Sequence, residues 1–103
     1  MGGNTKLLAR LAQVFLQQHA HDHARITAAL RARVHQQAIF LAHGLRGTAA
    51  SLGGMDVHDA AHQLERLLKD GGDPCGPSLT HLQTALAAFN RTLQHLIAAT
   101  NAR

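Results

Sequence analysis

Residues 36–53 read QQAIFLAHGLRGTAASLG and predict the helix around which the rest of the chain is organised. At about 100° per residue, the apolar side chains of this segment that fall within one narrow arc are Ala38, Leu41, Leu45, Ala49 and Leu52. We expect that arc to pack into a helical core. His43 lies about 160° from its middle and is therefore predicted to face solvent.

Helical patterns continue towards the N-terminus. Asn4 or Thr5 is the expected N-cap of a first helix, with a buried stripe of Leu7, Leu8, Leu11, Val14 and Phe15. The pattern weakens through residues 17–23 and resumes at Ile26, which predicts either a second helix or a bent continuation of the first. Residues 1–3 are expected to form a flexible start.

Two further stripes follow towards the C-terminus. Gly53 and Gly54 are expected to end the central helix, and Asp56 to cap the next one, whose apolar side is Val57, Ala60, Ala61, Leu64, Leu67 and Leu68. Residues 70–77 are dense in Gly and Pro and predict a loop. Ser78 is the expected cap of a last helix with the stripe Leu79, Leu82, Leu86, Phe89, Leu93 and Leu96.

These patterns predict one all-α domain over residues 1–103, without any strand pattern. We expect an antiparallel up-down four-helix bundle with an additional or bent N-terminal helix. The charge of +4 comes from scattered Lys and Arg residues, and aromatic stacking platforms are missing, so nucleic-acid binding is not expected. No apolar run is long enough for a membrane span, and no signal peptide is evident. Cys75, the single cysteine, is expected to be inert in its loop, and a cytoplasmic location is predicted.

The outer face around His43 is poor in charge and lined with small residues. It comprises Phe40, Gly44, Arg46, Gly47, Ala50 and Ser51. Two glycines inside a helix cost about 2 kcal/mol of helix stability, and their physical advantage is access to the imidazole. This surface is predicted to dock a partner through Phe40, Gly44, Ala50 and Ser51.

The chemistry available at His43 is nucleophilic. An exposed neutral imidazole can accept a phosphoryl group, and Arg46 can offer positive charge to the phosphoryl oxygens. No carboxylate lies within a turn of His43 along its helix. The domain is therefore expected to accept and donate a phosphoryl group passively, without its own catalytic base, and not to be an autokinase. Glu65 is interpreted as a structural residue, which either pairs on the side of the bundle that carries Arg66 or caps a neighbouring helix, because nothing in the sequence places it beside His43.

Residues 42–53, AHGLRGTAASLG, followed by Leu64-Glu65, resemble the signature of histidine-containing phosphotransfer (HPt) domains, roughly A-H-x-L-K-G-x-A-x-x-x-G and then L-E. The resemblance implies a four-helix bundle that accepts a phosphoryl group from a receiver-domain aspartate and passes it to another receiver domain. It implies that His43 is the phosphorylated residue and that Arg46 and Gly47 support the phosphoryl group. Arg46 stands where Lys is usual, and Gly44 where a small hydroxyl residue or Ala is common.

The resemblance also implies which proteins this domain binds. Response-regulator receiver domains are the expected partners, with Mg²⁺ on the receiver and no cofactor on this chain. Such domains are often the last module of a hybrid sensor kinase, and the glycine-rich start favours excision from a longer chain. A monomer is expected.

Two other functions remain open from the sequence. One is a helical protein-interaction module that binds a partner without chemistry. The other is a metal site at His19 and His23 or at His58 and His62, which are i, i+4 pairs. Neither pair has an evident third ligand beyond Asp22 or Asp59, so no metal is expected.

Overall fold

The computed structural model describes residues 2–73 and 76–101, and within them it contains five α-helices and no strand. They are α1 (Gly2–His19), α2 (Asp22–Arg31), α3 (His35–Ser51), α4 (Met55–Lys69) and α5 (Pro77–Asn101). The all-α prediction is confirmed. The predicted loop is one residue shorter than expected, because α5 begins at Pro77, and Cys75 lies outside the described residues.

Helices α2 to α5 form the bundle. α3 packs on α2 and α4, and α5 closes the bundle against α4 and, to a smaller extent, α2. The apolar arc of α3 is confirmed, since Ala38, Leu45 and Ala49 are fully buried. The predicted stripes of α4 and α5 are buried or half-buried throughout. Alanines such as Ala42 and Ala60 supply much of the core, and their small side chains let α3 and α4 lie close together.

α1 and α2 together form one bent N-terminal helix, interrupted by a turn at Ala20 and His21. No Gly or Pro lies at this bend, and polar contacts hold it. Asp22 is buried and lies 2.6 Å from His19 Nδ1, and Arg25 donates to its other oxygen. The amide of Asn90 on α5 donates to the carbonyl of Ala20 over 3.1 Å.

The prediction for the buried side of α1 is wrong. Of the expected stripe only Phe15 is buried, whereas four members are 41–56% exposed, namely Leu7, Leu8, Leu11 and Val14. The reason is that α1 packs almost entirely on α5, so only one arc of it is covered. That arc consists of Ala9, Ala12 and Phe15, with the Phe15 ring edge-on to Phe89 at 5.2 Å between centroids. α1 also begins at Gly2, ahead of the cap predicted at Asn4 or Thr5 and within the start predicted to be flexible.

The turn between α3 and α4 depends on two glycines. Gly53 has a φ of +78°, and the Gly54 amide donates to the Ala49 carbonyl over 2.8 Å, which closes the last turn of α3 in a Schellman motif. A Cβ on Gly54 would lie 2.7 Å from the Phe89 ring, so the turn packs directly on α5. Gly54, rather than the predicted Asp56, occupies the N-cap of α4.

Other helix starts differ in the same way. Asp56 lies in the first turn of α4, where its charge suits the helix dipole. Ser78 lies in the first turn of α5 because that helix begins at Pro77. No helix among residues 2–73 and 76–101 is long and apolar enough to cross a membrane.

α2 ends in the same motif as α3, but with an arginine in the glycine position. Arg33 has a φ of 62°, and the amide of Val34 donates to the carbonyl of Ala29 over 2.9 Å. This left-handed conformation costs a residue with a Cβ roughly 1–2 kcal/mol. α2 therefore ends after Arg31 although no glycine or proline follows it.

We expect Arg33→Gly to raise the free energy of unfolding by about 0.5–1 kcal/mol, because relief of the left-handed strain exceeds the entropic cost of glycine. Urea denaturation measures the change. Arg31→Gly, the same change at the exposed last residue of α2, is the control and should lower stability, because glycine there adds an entropic cost without relieving any strain. Equal destabilisation by both variants would contradict the account of how α2 ends.

Candidate functional site

His43 lies in the middle of α3 with its side chain 63% exposed, as the helical geometry predicted. Its backbone neighbours Ala42 and Leu45 are buried, which fixes the rotation of α3 and so the direction of the imidazole. The exposure of His43 is therefore a consequence of core packing on the opposite face of the same helix.

Glu65 of α4 contacts His43, and this corrects the interpretation of Glu65 as a structural residue remote from the site. Its Oε2 lies 3.0 Å from His43 Nδ1, and its side chain is only 3% exposed. An ionised carboxylate can only accept hydrogen bonds, so Nδ1 is the protonated ring nitrogen. Nε2 then carries the free lone pair.

Two further cations hold the same carboxylate. Arg46 donates from one terminal nitrogen to Glu65 Oε1 at 3.2 Å, and Lys69 Nζ lies 2.9 Å from Oε2. Both come from the helices that flank the site, Arg46 from one turn along α3 and Lys69 from one turn along α4. Arg66, the expected neighbour of Glu65, is exposed and forms no ion pair with it within the described chain.

The charge state of Glu65 follows from these contacts. Burial alone would raise the pKa of Glu65, but hydrogen bonds from Lys69 and His43, together with the positive charges of Lys69 and Arg46, outweigh it and lower the pKa below its ordinary value of 4.5. The carboxylate is thus ionised at neutral pH and able to hold the imidazole.

The surface next to His43 is open. A Cβ built on Gly44 or on Gly47 would meet nothing within 4 Å. Phe40, one turn before His43, is 71% exposed, and Ser51 is exposed with its hydroxyl donating to the Gly47 carbonyl over 3.1 Å. Ala50 is half-buried. The residues predicted to dock a partner therefore share one face of α3 with His43, although Ala50 contributes less surface than expected.

The histidines of the two i, i+4 pairs considered as metal sites have different contacts from His43. His58 and His62 lie with ring centroids 6.2 Å apart, and His58 Nδ1 is 3.3 Å from the Arg46 carbonyl. His19 is bonded to Asp22 at the bend. Burial lowers the pKa of His23, opposed in part by a backbone hydrogen bond at Leu79. Over residues 2–73 and 76–101, no group of three or more His, Cys, Asp or Glu is arranged to hold a metal ion.

Comparison with known families agrees with this geometry. The sequence model described as the Hpt domain matches residues 10–99, which include α2 to α4 and nearly all of α5. The chain belongs to the Hpt domain family. No match was found among curated proteins or among solved structures. Membership implies histidine phosphotransfer in a phosphorelay and interaction with response-regulator receiver domains. Every member of the His43 site lies within the matched range of this Hpt domain.

Sequence reasoning missed the roles of Glu65 and Lys69. A signal was available, because Glu65 follows Leu64 and lies four residues after Ala61, on the edge of the buried stripe of α4. A carboxylate in such a position needs a partner. What the sequence did not provide was the register between α3 and α4, which brings Glu65 opposite His43.

The lowered pKa of Glu65 gives a pH dependence of stability. A carboxyl group whose pKa is depressed on folding stabilises the Hpt domain above its unfolded-state value, and this contribution is lost as the pH falls through the folded-state value. We therefore expect the stability difference between wild type and Glu65→Gln to shrink between about pH 5 and pH 3.

Chemical denaturation of both proteins across that pH range measures this difference. Asp59→Asn, at an exposed position earlier on α4, is the control and should follow the wild type. A difference between wild type and Glu65→Gln that stays constant with pH would contradict the ion-pair account.

Proposed function

We propose that this Hpt domain is a phosphorelay intermediate in which Nε2 of His43 accepts a phosphoryl group from a receiver-domain aspartate and later passes it to another receiver domain. The observation that carries the proposal is the contact between His43 Nδ1 and Glu65 Oε2 at 3.0 Å. It supports the proposal because a carboxylate beside Nδ1 favours a proton on that nitrogen, which leaves the lone pair of Nε2 for the phosphoryl group.

The phosphoryl transfer needs no catalytic base on this chain, because Nε2 carries no proton. Nε2 attacks the phosphorus of the aspartyl phosphate in line, the N–P bond forms, and the P–O bond breaks with its electron pair returning to the aspartate. The Nδ1 proton stays in place, so the phosphorylated ring is cationic and the Glu65 carboxylate stabilises it. In the second transfer the N–P bond breaks towards Nε2 and a new P–O bond forms on the next receiver.

Arg46 has two tasks in this proposal. One terminal nitrogen is bonded to Glu65, and the remaining N–H groups of the guanidinium can bind phosphoryl oxygens, since its side chain is 30% exposed. A lysine would offer a single nitrogen for both tasks. The arginine in the usual lysine position therefore fits a site in which one cation both holds Glu65 and supports the phosphoryl group, with Gly47 leaving space for it.

The docking face is the exposed side of α3. Phe40 supplies an apolar anchor one turn from His43, and Gly44 and Ser51 supply small, close-approach surface, with Ala50 at its margin. A receiver domain seated on this face would bring its aspartate and its Mg²⁺ to the imidazole. The chain contributes no autokinase activity in this scheme, and it acts in the cytoplasm, as a monomer, either alone or as a module of a hybrid sensor kinase.

The direct test is phosphorylation by a phosphorylated receiver domain. We expect wild-type protein to gain one acid-labile, base-stable phosphate and His43→Gln to gain none, because no other imidazole among residues 2–73 and 76–101 combines an open face with a buried carboxylate. His35→Gln, at an exposed histidine on the same helix, is the control and should be labelled like the wild type.

Labelling that persists in His43→Gln would contradict the assignment of the residue. A receiver that binds the wild type without any transfer would instead support the alternative of a non-catalytic interaction module.

A further inference from the structure

Lys69 lies outside the surface predicted from the sequence, yet it contacts the carboxylate that holds His43. Its Nζ is 2.9 Å from Glu65 Oε2, the same oxygen that lies 3.0 Å from His43 Nδ1. Lys69 is 57% exposed and is the last residue of α4, four residues after Glu65. A lysine in the last turn is also favoured there by the helix dipole.

We propose that Lys69 is a positioning residue of the phosphotransfer site, which holds the Glu65 carboxylate against His43 Nδ1 and offsets part of its charge, so that the carboxylate attracts a second ring proton less strongly. The inference rests on the proposed function. It adds a residue that acts through Glu65 and touches neither the phosphoryl group nor Nε2.

The negative charge of Glu65 is shared by three cationic or hydrogen-bonding groups. A carboxylate beside an imidazole favours the protonated ring, and a protonated ring has no lone pair with which to attack phosphorus. With Arg46 on Oε1 and Lys69 on Oε2, much of the Glu65 charge is already compensated. Glu65 can then fix the orientation of His43 without drawing a second proton onto its ring.

The groups that face Glu65 come from two helices. On α3 they are His43 and Arg46, and on α4 the same side of the helix carries His58, His62 and Lys69. Helices α2 and α5 contribute no ion pair to Glu65 within residues 2–73 and 76–101. Lys69 is thus a cation that can be removed without touching α3 or the docking face.

Arg66 provides a matched control. It is exposed, one residue from Glu65 on the same helix, and carries the same charge, but it forms no ion pair with that carboxylate within the described chain. Lys69→Met and Arg66→Met therefore remove one positive charge each from the end of α4. Only Lys69→Met removes the contact with Oε2.

The experiment is an NMR titration of the His43 ring in the full chain, which needs no phosphotransfer, followed by the pH profile of phosphoryl acceptance from a phosphorylated receiver. In Lys69→Met we expect the pH of half-protonation of His43 to rise by about half a unit, which lowers the neutral fraction roughly twofold at the wild-type midpoint. Acceptance should fall by the same factor there and be unchanged at pH 9. Lys69→Arg should restore both.

Equal shifts in Lys69→Met and Arg66→Met, or no shift in Lys69→Met, would overturn the proposal. A loss of acceptance in Lys69→Met of the same size at every pH would overturn it too, because sharing of the Glu65 charge predicts a loss that disappears at pH 9. Failure of wild-type protein to accept a phosphoryl group at all would contradict the proposed function instead. The titration would still decide whether Lys69 acts on His43.

Discussion

The carboxylate of Glu65, buried between α3 and α4, is the contact on which the site depends. It joins the two helices through His43 and Arg46 on one side and Lys69 on the other. A buried charge is costly unless it is paired, so the three donors offset the cost of burying the Glu65 carboxylate. The same pairing orients the imidazole, although its side chain is 63% exposed.

Access to that imidazole is the second constraint. α3 buries alanines and Leu45 on one face and leaves Gly44 and Gly47 on the other with nothing in front of them. Tight packing on the inner face offsets the helix weakening caused by these glycines. The Hpt domain therefore presents an accessible imidazole on a helix whose opposite face is tightly packed.

The sequence predicted the buried stripes well where neighbouring helices cover the whole stripe, as in α3 and α5. It failed for α1, whose leucines have the same spacing but lie on an arc that no other helix covers. Periodicity measures the width of an apolar stripe and carries no information about which helices surround it. The same limit explains Glu65, because its position opposite His43 is set by the register of α3 against α4. The start of α4 was misplaced because Gly54 occupies the N-cap expected at Asp56. The end of α2 was not predicted, because Arg33, with a φ of 62°, ends it without a glycine.

The proposed phosphoryl transfer depends on which nitrogen of His43 bears the proton. Long-range proton–nitrogen correlation spectra of the unphosphorylated protein at pH 8 measure this directly for each histidine ring. We expect the His43 ring to be predominantly the Nδ1–H tautomer, with Nε2 showing the shift of an unprotonated nitrogen. A ring that is mainly Nε2–H, or that exchanges freely between the two tautomers, would contradict the claim that Glu65 orients His43 for phosphoryl transfer.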